Sequence, residues 1–163
     1  MTINKIPKDK GIYVIFMYIS RDLNLRIGSL GAAVIQKGYY IYIGSAKGPG
    51  GLRARIERHL RKQKRIHWHI DYLTSTSECN IYAIVYALTN KDLESVLSAK
   101  LLKEKKCFNP TIRGFGCSDK TSYTHLFKCN CVPIECISRL VNIIKDLSIN
   151  PQVILLNSIH NIK

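Results

Sequence analysis

Apolar runs and helical stripes alternate along the chain, and three of the apolar runs predict strands. Residues 11–19, 39–43 and 80–88 are dense in β-branched and aromatic side chains and contain no charged residue. Such runs are typical of strands in the interior of a sheet. The first two are separated only by a connecting excursion that has room for a short strand of its own, so we expect them to pair antiparallel.

A first helix is predicted to begin near Leu52. Leu52, Ile56 and Leu60 recur at four-residue intervals and form one apolar stripe, as in a helix that packs on a sheet. We expect an adjoining face of this helix to be exposed and cationic, with the side chains of Arg55, Arg58, His59 and Lys62.

Two later segments also show helical periodicity. In one, Asp92 is the expected N-cap and Glu94 lies in the first turn, before a core-facing stripe of Leu93, Val96, Leu97, Leu101 and Leu102. The other spans residues 134–147 and ends before Pro151. Its apolar positions are Ile134, Ile137, Leu140, Val141, Ile144 and Leu147.

The remaining segments complete the predicted fold. We expect an ordered loop over residues 109–119, a short strand or edge starting at residues 125–127, and a tail over residues 153–156 that docks as a strand or covers an edge. The order predicts an α+β fold with a small mixed, largely antiparallel central sheet, flanked by helices and extended by a C-terminal helix. At 163 residues one domain is expected, with residues 11–127 as its core and residues 128–163 packed on it.

The charge balance restricts the partner. Lys and Arg total 25 against 11 Asp and Glu, which gives a net charge of +14. This excess attracts polyanions such as nucleic acid or an acidic membrane face. No apolar stretch approaches the roughly 18 residues that a membrane span requires, and the N-terminus lacks a signal-peptide cleavage site. We therefore expect a cytoplasmic protein with no membrane partner.

A strand, a glycine-rich turn and a basic helix follow one another between residues 40 and 71. The glycines of the segment 48–51 would let backbone N–H groups approach an anion, and the cations beyond them would attract it. Only Glu57 interrupts the basic run over residues 53–65. A nucleic-acid backbone is the expected partner, contacted by Lys47, Arg53, Arg58, Lys62, Arg65, His67 and His69.

The six cysteines crowd toward the C-terminal part of the chain, without the spacing of a small secreted scaffold. We expect buried free thiols rather than disulfides. Cys129, Cys131 and Cys136 lack the second half of a zinc ligand set, so zinc is not expected there. His67 and His69 would share one strand face, where a structural role or DNA contact is favoured over a metal.

Two tripeptides carry a resemblance to a known superfamily. Gly11-Ile12-Tyr13 and Tyr42-Ile43-Gly44 match the pair that names the GIY-YIG nucleases, and both fall on predicted strands. An arginine in a helix and a glutamate in a second helix follow in the same order. The string over residues 42–73, with GFGCSD and HLF after it, resembles the mainly archaeal branch described as domain of unknown function 123. The resemblance covers residues 11–127.

The resemblance implies a phosphodiesterase that uses one divalent metal ion, Mg²⁺ or Mn²⁺. It implies that Glu94 holds the metal, that Arg55 braces the scissile phosphate, and that Tyr13 and Tyr42 lie beside the metal. Asn109 is a further position that could match the family site. The archaeal branch usually has cysteines where this chain has Ser95, Lys120 and Ser122, so we expect no thiol chemistry at these three positions.

The identity of the general base stays open between a tyrosine and His59. A phenol has an ordinary pKa of about 10 and requires nearby positive charge to act at neutral pH, whereas imidazole, at about 6.5, does not. The predicted function is a metal-dependent DNA endonuclease that acts on structured or damaged DNA in repair or recombination. The alternative is a non-catalytic nucleic-acid-binding module on the same scaffold.

Overall fold

The computed structural model describes residues 2–117 and 121–156. In chain order its elements are β1 (Gly11–Ile19), β2 (Leu23–Arg26), β3 (Ala32–Ile35), β4 (Gly38–Ala46), α1 (Gly51–Leu60), α2 (His69–Thr74), β5 (Cys79–Leu88), α3 (Glu94–Lys103), β6 (Phe108–Pro110), β7 (Leu126–Cys129), α4 (Pro133–Lys145) and β8 (Gln152–Leu155). Positions 118 and 119 of the predicted loop, Lys120, and positions 157–163 of the predicted C-terminal unit lie outside the described residues. Within the described ranges, no helix combines the length and the apolarity that crossing a membrane requires.

Six strands form one sheet in the order β6-β7-β4-β1-β5-β8, and every neighbouring pair in it is antiparallel. The strands β2 and β3 form a separate hairpin within the predicted excursion. This arrangement confirms the predicted fold class, including the C-terminal helix. It also confirms the pairing of the first two long strands, and the docking of the tail, which pairs as β8 with β5.

The central strand β1 divides the interior into two packed faces. Its odd-numbered side chains from Tyr13 to Met17 pack with residues of α1 and α2, and we call this side the α1 face. Its even-numbered side chains from Ile12 to Phe16 pack with residues of α3 and α4, which we call the α4 face. Since successive side chains of a strand point to opposite sides, a strand covered on both sides has no position for a charged residue.

The helix α1 confirms the predicted start but not the predicted orientation of His59. Leu52 and Ile56 are buried, whereas Leu60 is only half-buried. The expectation that His59 is exposed was wrong, because its side chain is 1% exposed. His59 follows Ile56 by three positions and therefore continues the buried stripe on the same side of the helix.

The helix α3 starts later than predicted. Its first residue is Glu94 and its N-cap position is Leu93, so the assignment of Asp92 as the N-cap was wrong. The Asp92 carboxylate instead forms an ion pair with Lys47. Val96, predicted for the core-facing stripe, is largely exposed.

The helix α4 begins at Pro133. The first N–H groups of a helix have no partner inside the helix, so a proline at this position costs no hydrogen bond. Ile137 and Leu140 are buried as predicted, but Ile134 is exposed and lies off the packed stripe. The helix α4 packs against the sheet beside α3, on the face named after it. The C-terminal helix is thus part of the hydrophobic core on this face of the sheet.

One disulfide was not predicted. Cys107, next to β6, is bonded to Cys131, in the loop after β7. The expectation of free thiols was wrong for this pair. The pairing of β6 with β7 brings the two Cα atoms to 4.9 Å, a proximity that their separation of 24 positions does not reveal. Among the described residues, Cys79, Cys129 and Cys136 carry free thiols.

Candidate active site

A cleft of about 480 Å³ opens on the α1 face. All five residues predicted to be catalytic line it, namely Tyr13, Tyr42, Arg55, His59 and Glu94. Three of the predicted nucleic-acid contacts, Lys47, His67 and His69, line it as well. The fold therefore gathers residues from β1, β4, α1 and the first turn of α3 around one space.

The two tyrosines are held by adjacent strands. Tyr13 of β1 lies opposite Gly44 of β4, two positions from Tyr42. A Cβ atom at Gly44 would lie 2.3 Å from Tyr13 Cζ, far inside van der Waals contact. The glycine that ends the second tripeptide therefore makes room for the tyrosine ring that ends the first one.

A hydrogen bond joins the tyrosine of the first tripeptide to α1. The Tyr13 hydroxyl lies 2.8 Å from His59 Nε2, and both side chains are almost fully buried. Burial lowers the pKa of His59 to about 3, so the ring is neutral near pH 7. The neutral ring can accept the hydroxyl proton at Nε2.

The tyrosine hydroxyls are protonated at neutral pH. Burial raises the pKa of Tyr13 well above its ordinary value, with a further contribution from Tyr42, while Arg55 acts in the opposite direction. Burial likewise raises the pKa of Tyr42, against the influence of Arg55, and the Glu94 carboxylate adds to the rise at both tyrosines. The positive charge of Arg55 is thus outweighed by desolvation.

The guanidinium of Arg55 is held by an aromatic ring. Its Cζ atom lies 4.2 Å from the centre of the Trp68 ring, and Arg58 Cζ lies 4.4 Å from the same ring. These distances are typical of cation–π contacts. The edge of the Trp68 ring also meets His67, so this short segment forms one aromatic wall of the cleft.

A buried carboxylate fixes that wall. Asp71 is fully buried and accepts two hydrogen bonds from Arg58, at 2.8 and 2.9 Å, and one from each backbone N–H of His67 and Trp68. Burial acts to raise the pKa of Asp71, but the bonds from Arg58, Trp68 and His67 outweigh it, so the pKa is lower than usual. The network ties α1 to the start of α2.

Glu94 contributes a carboxylate to the lining of the cleft. Within residues 2–117 and 121–156, no side chain or backbone group is found to bond it. An unpaired carboxylate beside two hydroxyl groups fits a hard cation such as Mg²⁺ or Mn²⁺, which takes oxygen ligands and keeps several waters. The donors of the cleft therefore suit the metal that the resemblance implies.

The amides that open α1, directly after the glycine-rich segment, are bonded within the protein. The first backbone N–H groups of α1 are already bonded, Leu52 N to Asp9 O at 2.9 Å and Arg53 N to Pro7 O at 3.1 Å. Since an anion at a helix N-terminus requires free N–H groups, these two amides do not offer a site for one, and an anion site at the backbone of residues 48–51 stays a prediction.

Four of the predicted nucleic-acid contacts lie away from the cleft. Arg53 donates to Ile6 O and Asn4 O, and Lys62 donates to Thr76 O and Cys79 O. Arg58 bonds Asp71, as described above, and Arg65 lines a separate depression beside it. Asn109 also lies elsewhere, on β6, beside the depression that Lys128 lines.

Sequence reasoning missed several residues of the cleft. Trp68 and His125 were not assigned to it, although both line it together with Gly116 and Cys117. His69 accepts the Gly116 N–H at its Nδ1 atom, at 3.0 Å, and so holds the loop that follows β6. The sequence signal for these residues was the pair of short motifs GFG (114–116) and HLF (125–127). In the fold, these two motifs lie next to each other and beside β4.

The family comparison agrees with the extent of the fold. The family described as Domain of unknown function DUF123 matches residues 12–146, which is most of the chain. The chain belongs to this family. The DUF123 match starts within β1 and extends through α4, beyond the expected end at residue 127, and it includes every residue predicted to be catalytic. No curated protein and no solved structure matches the chain.

Proposed function

We propose that this DUF123 chain is a metal-dependent DNA endonuclease of the GIY-YIG type, which hydrolyses phosphodiester bonds with one divalent metal ion. Structured or damaged DNA, in repair or recombination, is the proposed substrate. The observation that supports the proposal is the gathering of Tyr13, Tyr42, Arg55, His59 and Glu94 in one cleft of a strongly basic chain.

Arg55 is the proposed brace for the scissile phosphate. Its planar guanidinium can bond two phosphoryl oxygens at once, and the contact with Trp68 restrains the side chain before substrate arrives. Lys47 lines the same cleft, where its ammonium group can exchange its exposed partner Asp92 for a phosphate oxygen. Donors arranged in advance around the phosphoryl oxygens stabilise the charge that develops in the transition state.

Tyr13 and His59 together are the proposed route for the proton of the attacking water. A buried phenol is a poor base on its own, but its oxygen can take a proton from water while its own proton passes to His59 Nε2, 2.8 Å away. The negative charge of bound phosphate favours the imidazolium that results, because an opposite charge stabilises the charged form. Tyr42 helps to orient the water.

Glu94 would hold the metal ion, Mg²⁺ or Mn²⁺. When bound, such an ion supplies positive charge at the phosphoryl and leaving oxygens. The carboxylate belongs to the first turn of a ten-residue helix whose next turn is buried against the sheet at Leu97. This anchoring fixes the position of the ligand.

Glu94→Gln tests the proposal, with Glu104→Gln at the opposite end of α3 as the matched control. Nicking and cleavage of supercoiled, branched, damaged and single-stranded DNA are measured with Mg²⁺ or Mn²⁺. We expect Glu94→Gln to lose about 10³-fold in rate, because the metal supplies several kcal/mol of charge stabilisation. Glu104→Gln should cleave as wild type does.

Binding separates the two candidate functions. Glu94→Gln should bind DNA at least as well as the wild type, because it removes one negative charge from the cleft. Equal cleavage rates in the wild type and Glu94→Gln would disprove the proposed role of Glu94. A wild type that binds these DNAs but cleaves none of them would establish the non-catalytic binding module instead.

The salt dependence of DNA affinity tests the proposed contacts between basic side chains and the DNA backbone. If about six phosphates are contacted, affinity should fall by roughly 10³-fold between 50 and 200 mM salt. Lys47→Ala should reduce the slope of log affinity against log salt by about one phosphate contact. Lys128→Ala is the control, since Lys128 lines a different depression and bonds Gln36. A flat salt response would remove the DNA backbone as the partner.

A further inference from the structure

Four cysteines gather at one place outside the cleft. Cys107 precedes β6, Cys129 ends β7, Cys131 follows in the next loop, and Cys136 lies in the first turns of α4. The sulfur atoms of Cys107, Cys131 and Cys136 all lie within 4.8 Å of one another. The Cys136 thiol donates to Cys131 O, at 3.4 Å, and Cys129 packs on the same apolar face as Cys136. We call these four residues the cysteine cluster.

The disulfide accounts for only half of this cluster. Cys107 and Cys131 are bonded to each other, while Cys129 and Cys136 carry free thiols beside them. Cys107, Cys129 and Cys136 are buried among the apolar side chains of the α4 face. A single structural disulfide does not require two further thiols in the same place.

The sulfurs lie close enough together to reach one tetrahedral metal ion after the disulfide is reduced. Thiolate–zinc bonds of about 2.3 Å place the sulfurs of a tetrahedral centre roughly 3.8 Å apart. Three sulfurs of the cluster already lie within 4.8 Å of one another, and Cys129, the fourth member, pairs with Phe108 next to Cys107 and packs in one cluster with Cys136. Opening of the disulfide would free the Cys107 and Cys131 sulfurs, and rotation about the Cα–Cβ bonds of the four cysteines would then let their sulfurs approach one centre.

The ligand chemistry selects the metal. Thiolates prefer zinc and other soft ions, whereas the carboxylate and hydroxyl oxygens of the cleft prefer Mg²⁺ or Mn²⁺. The cluster lies on the α4 face and the cleft on the α1 face, so two centres of different chemistry can coexist. Neither set of donors suits the metal of the other.

We propose that the reduced cysteine cluster binds one Zn²⁺ through Cys107, Cys129, Cys131 and Cys136. Reduction of the Cys107–Cys131 disulfide takes two electrons and two protons from a dithiol, which itself becomes a disulfide. Binding of the metal then displaces the thiol protons. The ion connects the β6–β7 edge of the sheet to the start of α4.

Cobalt titration of the reduced protein tests this site. The full chain is reduced without metal under anaerobic conditions until all six cysteines of a denatured aliquot can be alkylated. Co²⁺ is then added, and its absorption is recorded. We expect one equivalent to give the thiolate-to-cobalt charge-transfer band of a tetrahedral centre, and one equivalent of Zn²⁺ to abolish that band. The readout does not depend on DNA cleavage.

Variants assign the ligands. Cys136→Ser and Cys129→Ser should each weaken Co²⁺ binding by about 10²-fold, since each removes one thiolate. Cys79→Ser is the matched control, because Cys79 is a buried free thiol whose sulfur contacts Met17 on the α1 face. Its titration should equal that of the wild type. Circular dichroism identifies any variant that fails to fold.

Two results would overturn the proposal. The first is a fully reduced, folded wild type that gives no thiolate-to-cobalt band. The second is a band that persists unchanged in both Cys136→Ser and Cys129→Ser, since the sulfurs would then lie elsewhere.

Discussion

The two faces of the sheet differ in what they bury. The α1 face buries polar groups that bond one another or neighbouring backbone groups, including His59, Asp71 and Thr74. The α4 face buries mostly aliphatic side chains of α3 and α4, together with cysteines. The sheet thus carries a polar cleft on its α1 face, and its α4 face is packed mainly with apolar side chains. We expect the two faces to respond differently to substitution.

The largest expected effect is the loss of the buried carboxylate of the α1 face. Asp71→Asn leaves the Arg58 guanidinium without its counter-charge and should reduce the free energy of unfolding by about 3–5 kcal/mol. Chemical denaturation measures it. Glu135→Gln, which opens the surface pair with Arg139 on α4, is the control and should cost about 0.5 kcal/mol. Equal losses in the two variants would contradict the proposed importance of the Asp71 network.

A cavity on the α4 face should affect stability without affecting the cleft. Leu140 is fully buried, so Leu140→Ala should reduce the free energy of unfolding by about 3 kcal/mol. Ile134→Ala, at the exposed position six residues earlier, should change it by less than about 0.5 kcal/mol. DNA cleavage per folded molecule should be unchanged in both. A selective loss of cleavage in folded Leu140→Ala would show that the faces are coupled.

Removal of the Tyr13 hydroxyl should affect DNA cleavage far more than stability. Tyr13→Phe removes the partner of His59 and should slow DNA cleavage by about 10²-fold, with a stability change of about 1 kcal/mol or less. Tyr82→Phe is the matched control on the α4 face, because the Tyr82 hydroxyl is buried and has no hydrogen-bond partner among the described residues. Its cleavage rate should equal that of the wild type. An unimpaired Tyr13→Phe would exclude the proposed proton route.

Acid should destabilise the α1 face through His59. Burial lowers its pKa from 6.5 to about 3, so the unfolded chain binds a proton in this range that the folded chain does not. The free energy of unfolding should therefore be at its full value, as far as His59 determines it, above about pH 6.5. It should fall by up to about 1.4 kcal/mol per pH unit as the pH decreases from 6.5 toward 3. Unfolding curves of the wild type and His59→Gln measure it. Parallel pH profiles of the two proteins would refute this assignment.

Much of the fold could be predicted because its signals are local. The strand at residues 11–19 has no charged position, and the helix after Leu52 has a clear apolar stripe, so both were predicted correctly. The membership of the cleft was predicted from the two tripeptides, which mark Tyr13 and Tyr42, and from the order of the residues that follow them.

Properties that depend on tertiary contacts could not be predicted. The burial of His59 depends on the strand beneath α1, and the internal bonds of Arg53, Arg58 and Lys62 depend on segments that meet only in the fold. A basic helix looks the same in sequence whether its cations face solvent or carbonyl oxygens. The pairing of β6 with β7, which joins Cys107 to Cys131, is equally invisible.

The contacts between the residues preceding β1 and the start of α1 have a consequence for where this protein can be shortened. Carbonyl oxygens at positions 4–9 receive the opening amides of the helix and the Arg53 side chain, and a Cβ at Gly51 would lie 2.0 Å from Lys8 O. The family match begins at residue 12, after this stretch. A fragment trimmed to the match would leave the helix that bears Arg55 and His59 without its N-terminal partner, so the unit that must be kept intact is longer than the unit that similarity detects.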